Sequence, residues 1–238
     1  MSSPEIADTR RDRLDDSHAF KSPNVRAGFI RKVYSLLVLQ LLVTSLIVSF
    51  IFASDSAQVF VKSNPLFFAL AIVVSLALLY ALGCYPAVAR RVPLNYVLFA
   101  AFTLADSYVV AYLTVHYDAA TVLIAVLLTT VMVVSLSAYA CFSNDDFTFL
   151  GGTLFVVGGV LLAMSLLAFF IRNRILQLVV AGLSVILLGI YLIYDTQMIV
   201  GDKGNRFAVD DYVFAAMALY VDITRIFLHI LTILGNKG

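Results

Sequence analysis

The segment from Leu219 to Gly235, LYVDITRIFLHILTILG, decides how the fold of this chain is interpreted. Its apolar residues favour a helix in a lipid bilayer, yet it carries Asp222, Arg225 and His229. A charged side chain at the centre of a bilayer costs roughly 2.5–3.5 kcal/mol on insertion scales. Such side chains therefore face protein or water, which makes these three residues candidates for function.

The remainder of the chain is apolar in the same way. Of its 238 residues 62% are hydrophobic, whereas about half of the residues are apolar in soluble domains. The mean hydropathy is +0.98. The apolar residues form seven blocks, each close to the ~17–25 residues that a helix needs to cross a bilayer. We therefore predict an all-α polytopic membrane protein with seven transmembrane helices, at residues 33–53, 66–88, 94–115, 119–142, 149–170, 175–200 and 211–234.

The ends of the chain suggest its domain organisation and orientation. Residues 1–32 are polar and mixed in charge, which predicts a disordered cytosolic tail ending in a basic cluster of Arg26, Arg31 and Lys32. Residues 33–236 form one seven-helix membrane domain, because the connections are short. Eleven Lys and Arg residues outside the spans lie on the N-terminal side and four on the other, so we expect a cytosolic N-terminus. A re-entrant last span stays open and would leave both termini cytosolic.

Two acids are predicted to lie close together inside the bilayer. Asp195 is in the last third of the sixth span, and Asp222 is about 16 Å along the seventh at 1.5 Å per residue. Two close carboxylates do not both ionise easily and share a proton, so such a pair senses pH and binds Ca²⁺ when deprotonated. The alternative is that a neighbouring hydroxyl or guanidinium satisfies each acid, which then only fixes packing.

Other charged residues are candidates for the same path. Arg90 and Arg91 end the second span on the expected cytosolic side, where a salt bridge to Asp195 would close the path as a latch. Alternatively, they anchor the helix end to the cytosolic surface. Asp106 is midway along the third span and either lines the polar path or is satisfied by neighbouring hydroxyls.

Short motifs occur in five of the spans: IRKVYSLLVLQLLVTS at 30–45, AFTLADSY at 101–108, YDAATVLIAVLLTT at 117–130, IYDTQ at 193–197, and DDYVFAAMALYVDI at 210–223 with FLHILTILG at 227–235. Together they resemble the transmembrane Bax-inhibitor-motif family, and within it the branch of the lifeguard and Golgi anti-apoptotic proteins. The resemblance extends from about Ala27 to Gly235.

This resemblance implies a Bax-inhibitor-type fold, with a central helix surrounded by two three-helix layers. It also implies a pH-tuned Ca²⁺ leak of Golgi or endoplasmic reticulum membranes that lowers store Ca²⁺ and protects from apoptosis. The sensor of the family falls on Asp195 and Asp222, and its latch on Arg90 or Arg91. Neutral pH would then close the path and acid would open it. Ca²⁺ is expected as a permeant or transiently bound ion, with no other cofactor and no enzymatic activity.

The chain departs from the pattern of the family in two places. Asp106 replaces the usual glutamate, and in the DITR segment Thr224 and Arg225 replace an aliphatic residue and an asparagine. Arg225 is three residues after Asp222 and hence on a similar helix face, so we expect its guanidinium to hold Asp222 ionised and to repel Ca²⁺. His229, one turn further, is expected to be a polar lining residue and not a ligand.

Three other functions stay open. The first is a non-conducting adaptor in the lipid bilayer that binds Bcl-family apoptosis regulators or intracellular Ca²⁺ channels. A homo-oligomer is open for this chain. An intramembrane aspartyl protease also uses two acids that share a proton, but its last acid follows glycine, whereas Asp222 follows Leu219, Tyr220 and Val221. A seven-helix receptor fits the number of spans but not the very short loops. The net charge of +1 gives no reason to expect a nucleic-acid partner.

Overall fold

The computed structural model describes residues 23–171, 173–200 and 208–235, and every regular element in these ranges is helical. Seven of the helices are long and apolar enough to cross a membrane, which confirms the predicted fold class. The elements are α1 (Pro23–Ala53), α2 (Asp55–Ser63), α3 (Pro65–Cys84), α4 (Pro86–Ala89), α5 (Leu94–Thr114), α6 (Ala119–Phe142), a 3₁₀ turn (Thr148–Leu150), α7 (Gly151–Ile171), α8 (Arg174–Val200) and α9 (Tyr212–Leu234).

The last helix, α9, is the centre of the bundle. It packs against α1, α3, α5, α6 and α8, and much of its surface is buried. Its 23 residues extend about 34 Å as one continuous helix, which is long enough to cross the bilayer. Ala215 and Ala216 are fully buried, and such small residues let neighbouring helices approach closely.

The other six spanning helices form two layers around α9. Helices α1, α3 and α5 pack together on one side, and α6, α7 and α8 pack together on the other. The outer helices expose large apolar side chains such as Phe142, Phe155 and Phe170. Exposed apolar surface of this extent is typical of helices that face lipid or another protein. The predicted arrangement of a central helix between two three-helix layers is therefore confirmed.

The first helix begins earlier than the sequence suggested. We predicted a disordered tail through residue 32, but α1 begins at Pro23; residues 1–22 lie outside the described residues. Proline is favoured in the first turn of a helix, and Phe29 and Val33, one turn apart, are both buried in the main core. The Lys32 ammonium group lies 4.7 Å from the ring centroid of Tyr212, a cation–π distance. The basic cluster of Arg26, Arg31 and Lys32 therefore belongs to a packed helix.

Two short helices between the spans were not predicted. Helix α2 follows α1 directly, with Ser54 accepting a hydrogen bond from the Ala57 amide at its start, and buries Val61. Helix α4 continues the chain beyond α3 toward Arg90. Each is shorter than a span; α2 lies between the first two predicted spans, and α4 overlaps the end of the second.

The connection between α5 and α6 ends in a helix cap. Asp118 accepts hydrogen bonds of 2.8 Å from both the backbone amide and the hydroxyl of Thr121. These bonds stabilise the carboxylate and hold the pKa of Asp118 below its usual range.

The far end of α9 is held by a close contact at Gly235. The Arg174 guanidinium at the start of α8 donates a hydrogen bond of 2.6 Å to the Gly235 carbonyl oxygen. A Cβ atom at this glycine would collide with the ring of Tyr117 and lie 2.8 Å from the Leu231 carbonyl oxygen. Glycine is therefore required here for space.

We expect Gly235→Ala to lower the midpoint of thermal unfolding in detergent micelles, because the added methyl group overpacks the contact with Tyr117. Overpacking of this kind costs about 1–3 kcal/mol. Gly182→Ala in α8 is the matched control, since a Cβ atom there meets no atom within 4 Å. Equal midpoints for the two variants would contradict the tight packing at Gly235.

Candidate functional site

Asp195 and Asp222 meet at the interface between α8 and α9. Their carboxyl groups lie within hydrogen-bonding reach of each other, as the spacing along the two antiparallel helices predicted. Asp222 is buried, and among the described residues its Oδ2 atom has no hydrogen-bond donor. Two carboxyl groups this close hold one proton between them, because two adjacent buried negative charges repel. We call these two residues the acid pair.

A glycine in α7 and a tyrosine in α8 form the surroundings of the acid pair. Tyr191 lies one turn before Asp195, and its hydroxyl is close enough to both acids to interact with them electrostatically. A Cβ atom at Gly158 would be 2.9 Å from that hydroxyl oxygen. Gly158 therefore leaves the space in which Tyr191 approaches the acids.

The amide side chain of Gln197 holds the loop at the end of α8. Its Oε1 accepts a hydrogen bond of 2.9 Å from the Phe147 amide, and its Nε2 donates one of 2.8 Å to the Asp145 carbonyl oxygen. The loop between α6 and the 3₁₀ turn is thereby fixed two residues beyond Asp195. The glutamine of the IYDTQ motif thus has a positioning role that sequence reasoning missed.

The predicted latch has a different partner in the structure. The guanidinium of Arg90 forms two hydrogen bonds to the Asp211 carboxylate, Nε to Oδ1 at 2.8 Å and Nη2 to Oδ2 at 3.0 Å. Asp211 also accepts a hydrogen bond from the Ala208 amide. The turn after α4 brings Arg90 to the N-terminus of α9, where an aspartate is favoured by the helix dipole. The expected salt bridge from Arg90 to Asp195 is therefore wrong for this structure, and Arg91 is exposed.

Arg225 also has a partner that differs from the prediction. Its Nη2 donates to Oδ1 of Asp106 at 2.6 Å, and Asp106 is completely buried. Helices α5 and α9 run in the same direction, and both residues lie about 18–20 Å from the starts of their helices at 1.5 Å per residue. The expectation that Arg225 acts on Asp222 is therefore wrong, whereas the placement of Asp106 on an ion path stays a prediction. His229 is partly buried near Arg225.

A buried network of polar side chains surrounds the ion pair. Thr44 is bonded at 2.8 Å to the hydroxyls of both Ser107 and Tyr220, and Gln40 donates at 3.1 Å to Thr103. We call the set the α1–α5–α9 polar layer. Its members are Gln40, Thr44, Thr103, Asp106, Ser107, Tyr220 and Arg225.

Sequence reasoning missed Gln40, Thr44 and Tyr220 in this layer. The spacing in the sequence gives a signal for Gln40 and Thr44, because they continue the helical repeat of Val33 and Leu37. In the structure all four residues are buried on α1. Polar residues within a buried stripe of a spanning helix require partners on neighbouring helices.

The chemistry of the acid pair suits transient contact with a cation. Among the described residues no group of three or more His, Cys, Asp or Glu side chains is arranged to hold a metal ion. Ca²⁺ takes six to eight oxygen ligands when it is firmly bound, and two carboxyl groups supply only part of that shell. The acid pair is thus better suited to attract and release Ca²⁺ than to retain it.

Comparison with known proteins places the chain in a family. It is 32% identical to the Golgi anti-apoptotic protein of Vaccinia virus (strain Lister), covering 93% of this chain and 91% of that protein. It is 35% identical to protein lifeguard 4 of Mus musculus over 91% of this chain and 88% of that protein. It is 30% identical to protein lifeguard 3 of Homo sapiens over 90% and 70%. Residues 26–238 match the family described as inhibitor of apoptosis-promoting Bax1, so the chain belongs to the Bax-inhibitor family.

Proposed function

We propose that this chain is a Ca²⁺-permeable leak channel of Golgi or endoplasmic reticulum membranes that protects cells from apoptosis. The observation that carries the proposal is the acid pair, in which Asp195 and Asp222 lie within hydrogen-bonding reach between two spanning helices. The names of the viral and lifeguard relatives support the anti-apoptotic role and the Golgi location. The distribution of Lys and Arg supports a cytosolic N-terminus.

The acid pair acts as the gate. With one proton between them, the two carboxyl groups form a hydrogen bond that ties α8 to α9. Loss of that proton leaves two adjacent carboxylates, whose repulsion weakens the helix contact and whose oxygens attract Ca²⁺. Among the described residues, Tyr191 is the further titratable group that faces both acids.

This mechanism reverses the pH dependence expected from the sequence. The expected opening by acid depended on release of an arginine latch from Asp195, and Arg90 is bound to Asp211 instead. Without a cation at the acid pair, protonation preserves the hydrogen bond and deprotonation breaks it. The leak therefore increases as the pH rises.

A non-conducting adaptor is the second candidate. The Asp106–Arg225 ion pair favours an adaptor. It places a guanidinium about 20 Å along the central helix, near the middle of the bilayer, where its positive charge would repel Ca²⁺. Such an adaptor would act by binding Bcl-family regulators or intracellular Ca²⁺ channels, alone or as a homo-oligomer.

We expect purified protein in liposomes to pass Ca²⁺, measured with an enclosed Ca²⁺ dye, at a rate that rises from mildly acidic to mildly alkaline pH. A gate linked to one proton changes its open fraction by at most about tenfold per pH unit. Asp195→Asn and Asp222→Asn should each flatten this profile, because the amide cannot lose the shared proton.

Asp118→Asn serves as the control, since Asp118 is an exposed helix cap and asparagine caps equally well. Its pH profile should match that of the wild type. Absence of flux at every pH, while a known channel conducts in parallel liposomes, would favour the adaptor.

Arg90→Gln tests the identity of the latch. The Arg90–Asp211 pair is partly exposed, and pairs of this kind contribute only about 0–1 kcal/mol to stability. We therefore expect a small decrease in the unfolding midpoint and an unchanged midpoint of the pH–flux profile. Arg91→Gln is the matched control. A shift of the pH midpoint in Arg90→Gln alone would restore Arg90 as the latch on Asp195.

A further inference from the structure

The α1–α5–α9 polar layer is rich in buried oxygen atoms. Gln40, Asp106, Ser107 and Tyr220 are fully buried, and each contributes an oxygen atom. Thr103, Asp106 and Ser107 lie within about one turn of α5 and hence share a face. A collection of buried oxygens at mid-membrane depth is costly unless donors or a cation satisfy them.

Two acceptors in the layer are left over. Among the described residues, Gln40 Oε1 and Asp106 Oδ2 have no hydrogen-bond donor. A buried acceptor that is left unpaired destabilises the fold. The surplus therefore consists of oxygen lone pairs, one of them on a carboxylate, which is the chemistry that binds a cation.

Arg225 supplies a positive charge to this layer from the central helix. Its guanidinium contacts Asp106 at 2.6 Å through one nitrogen. A group tethered to the same fold has an effective concentration in the millimolar range or above. A mobile cation must compete with that local concentration to reach Asp106.

We propose that Asp106 and the oxygens of Gln40, Thr44, Ser107 and Tyr220 form a site for a small hard cation, Na⁺ or Ca²⁺, which the guanidinium of Arg225 occupies as a tethered substitute. Carboxylate, amide and hydroxyl oxygens are the ligands that such cations prefer. Arg225 thereby keeps mobile cations away from the α1–α5 side of α9. Its further consequence, that permeating ions are confined to the side of the acid pair, rests on the proposed function.

The test is a binding experiment that needs no ion flux. Purified Arg225→Ala in detergent micelles is heated in NaCl, in CaCl₂ or in choline chloride of equal ionic strength, and the unfolding midpoint is recorded. A ligand that binds only the folded state stabilises it by RT ln(1 + [L]/Kd). We expect the midpoint of Arg225→Ala to rise with Na⁺ or Ca²⁺ relative to choline, and to rise more than that of the wild type.

Three variants separate this site from other effects. Arg225→Lys keeps a tethered cation and should behave as the wild type does. The double variant Asp106→Asn with Arg225→Ala should lose the additional stabilisation. The double variant Asp222→Asn with Arg225→Ala should retain it, because Asp222 meets Asp195 of α8 and is not a member of the α1–α5–α9 polar layer.

The unfolding midpoint of Arg225→Ala is also measured in low concentrations of guanidinium chloride and compared with its midpoint in NaCl or CaCl₂. Stabilisation by both guanidinium and a metal ion, each dependent on Asp106, supports the proposal. Stabilisation by guanidinium alone would overturn it, because the layer would then be a socket for Arg225 and not a metal shell. An ion-dependent shift that persists without Asp106, or no shift beyond the wild type, would also overturn it.

If Arg225→Ala does not fold, Arg225→Gln replaces it in the same titrations, because its amide still donates a hydrogen bond to Asp106 without carrying charge. Failure of the liposome experiment would leave these binding results unaffected, so the two proposals are tested separately.

Discussion

The constraint on which the structure depends is that a charged side chain in hydrocarbon must be met by protein. The segment of α9 that carries Asp222, Arg225 and His229 is not allowed to face lipid, since each such exposure costs several kcal/mol. Surrounding α9 with five other helices meets this requirement on all sides. The charges that make the last span unusual in sequence are thus the reason why it is the centre of the bundle.

The central helix separates two kinds of polar contact. Toward α8 it presents Asp222 to another acid, and toward α1 and α5 it presents Tyr220 and Arg225 to hydroxyls and a carboxylate. In the proposed gate the first contact is held by a shared proton, whereas the second is an ion pair between Arg225 and Asp106. Function that depends on pH is therefore expected on the α8 side, with the α1–α5 side acting as a fixed support.

The sequence predicts the features that depend on length and on antiparallel adjacency. Span lengths predicted seven helices, and equal depth on consecutive helices predicted that Asp195 and Asp222 meet. The partners of Arg90 and Arg225 were mispredicted for a shared physical reason. Spacing along one helix shows which face a residue occupies but not which neighbouring helix lies there. Gln40 and Thr44 were missed because an isolated polar residue in an apolar span acquires meaning only from its partner.

The choice of partner for Arg225 also decides the electrostatics at the acid pair. Had Arg225 paired with Asp222, the guanidinium would have neutralised one of the two acids and repelled Ca²⁺ at the gate. Paired with Asp106, it forms a neutral unit whose field decays faster with distance than that of a single charge. The acid pair with one proton then keeps a net negative charge inside the bundle, and low-dielectric surroundings strengthen its attraction for a cation. An arginine one turn from Asp222 is therefore compatible with a cation path, because its charge is already balanced by Asp106 of α5.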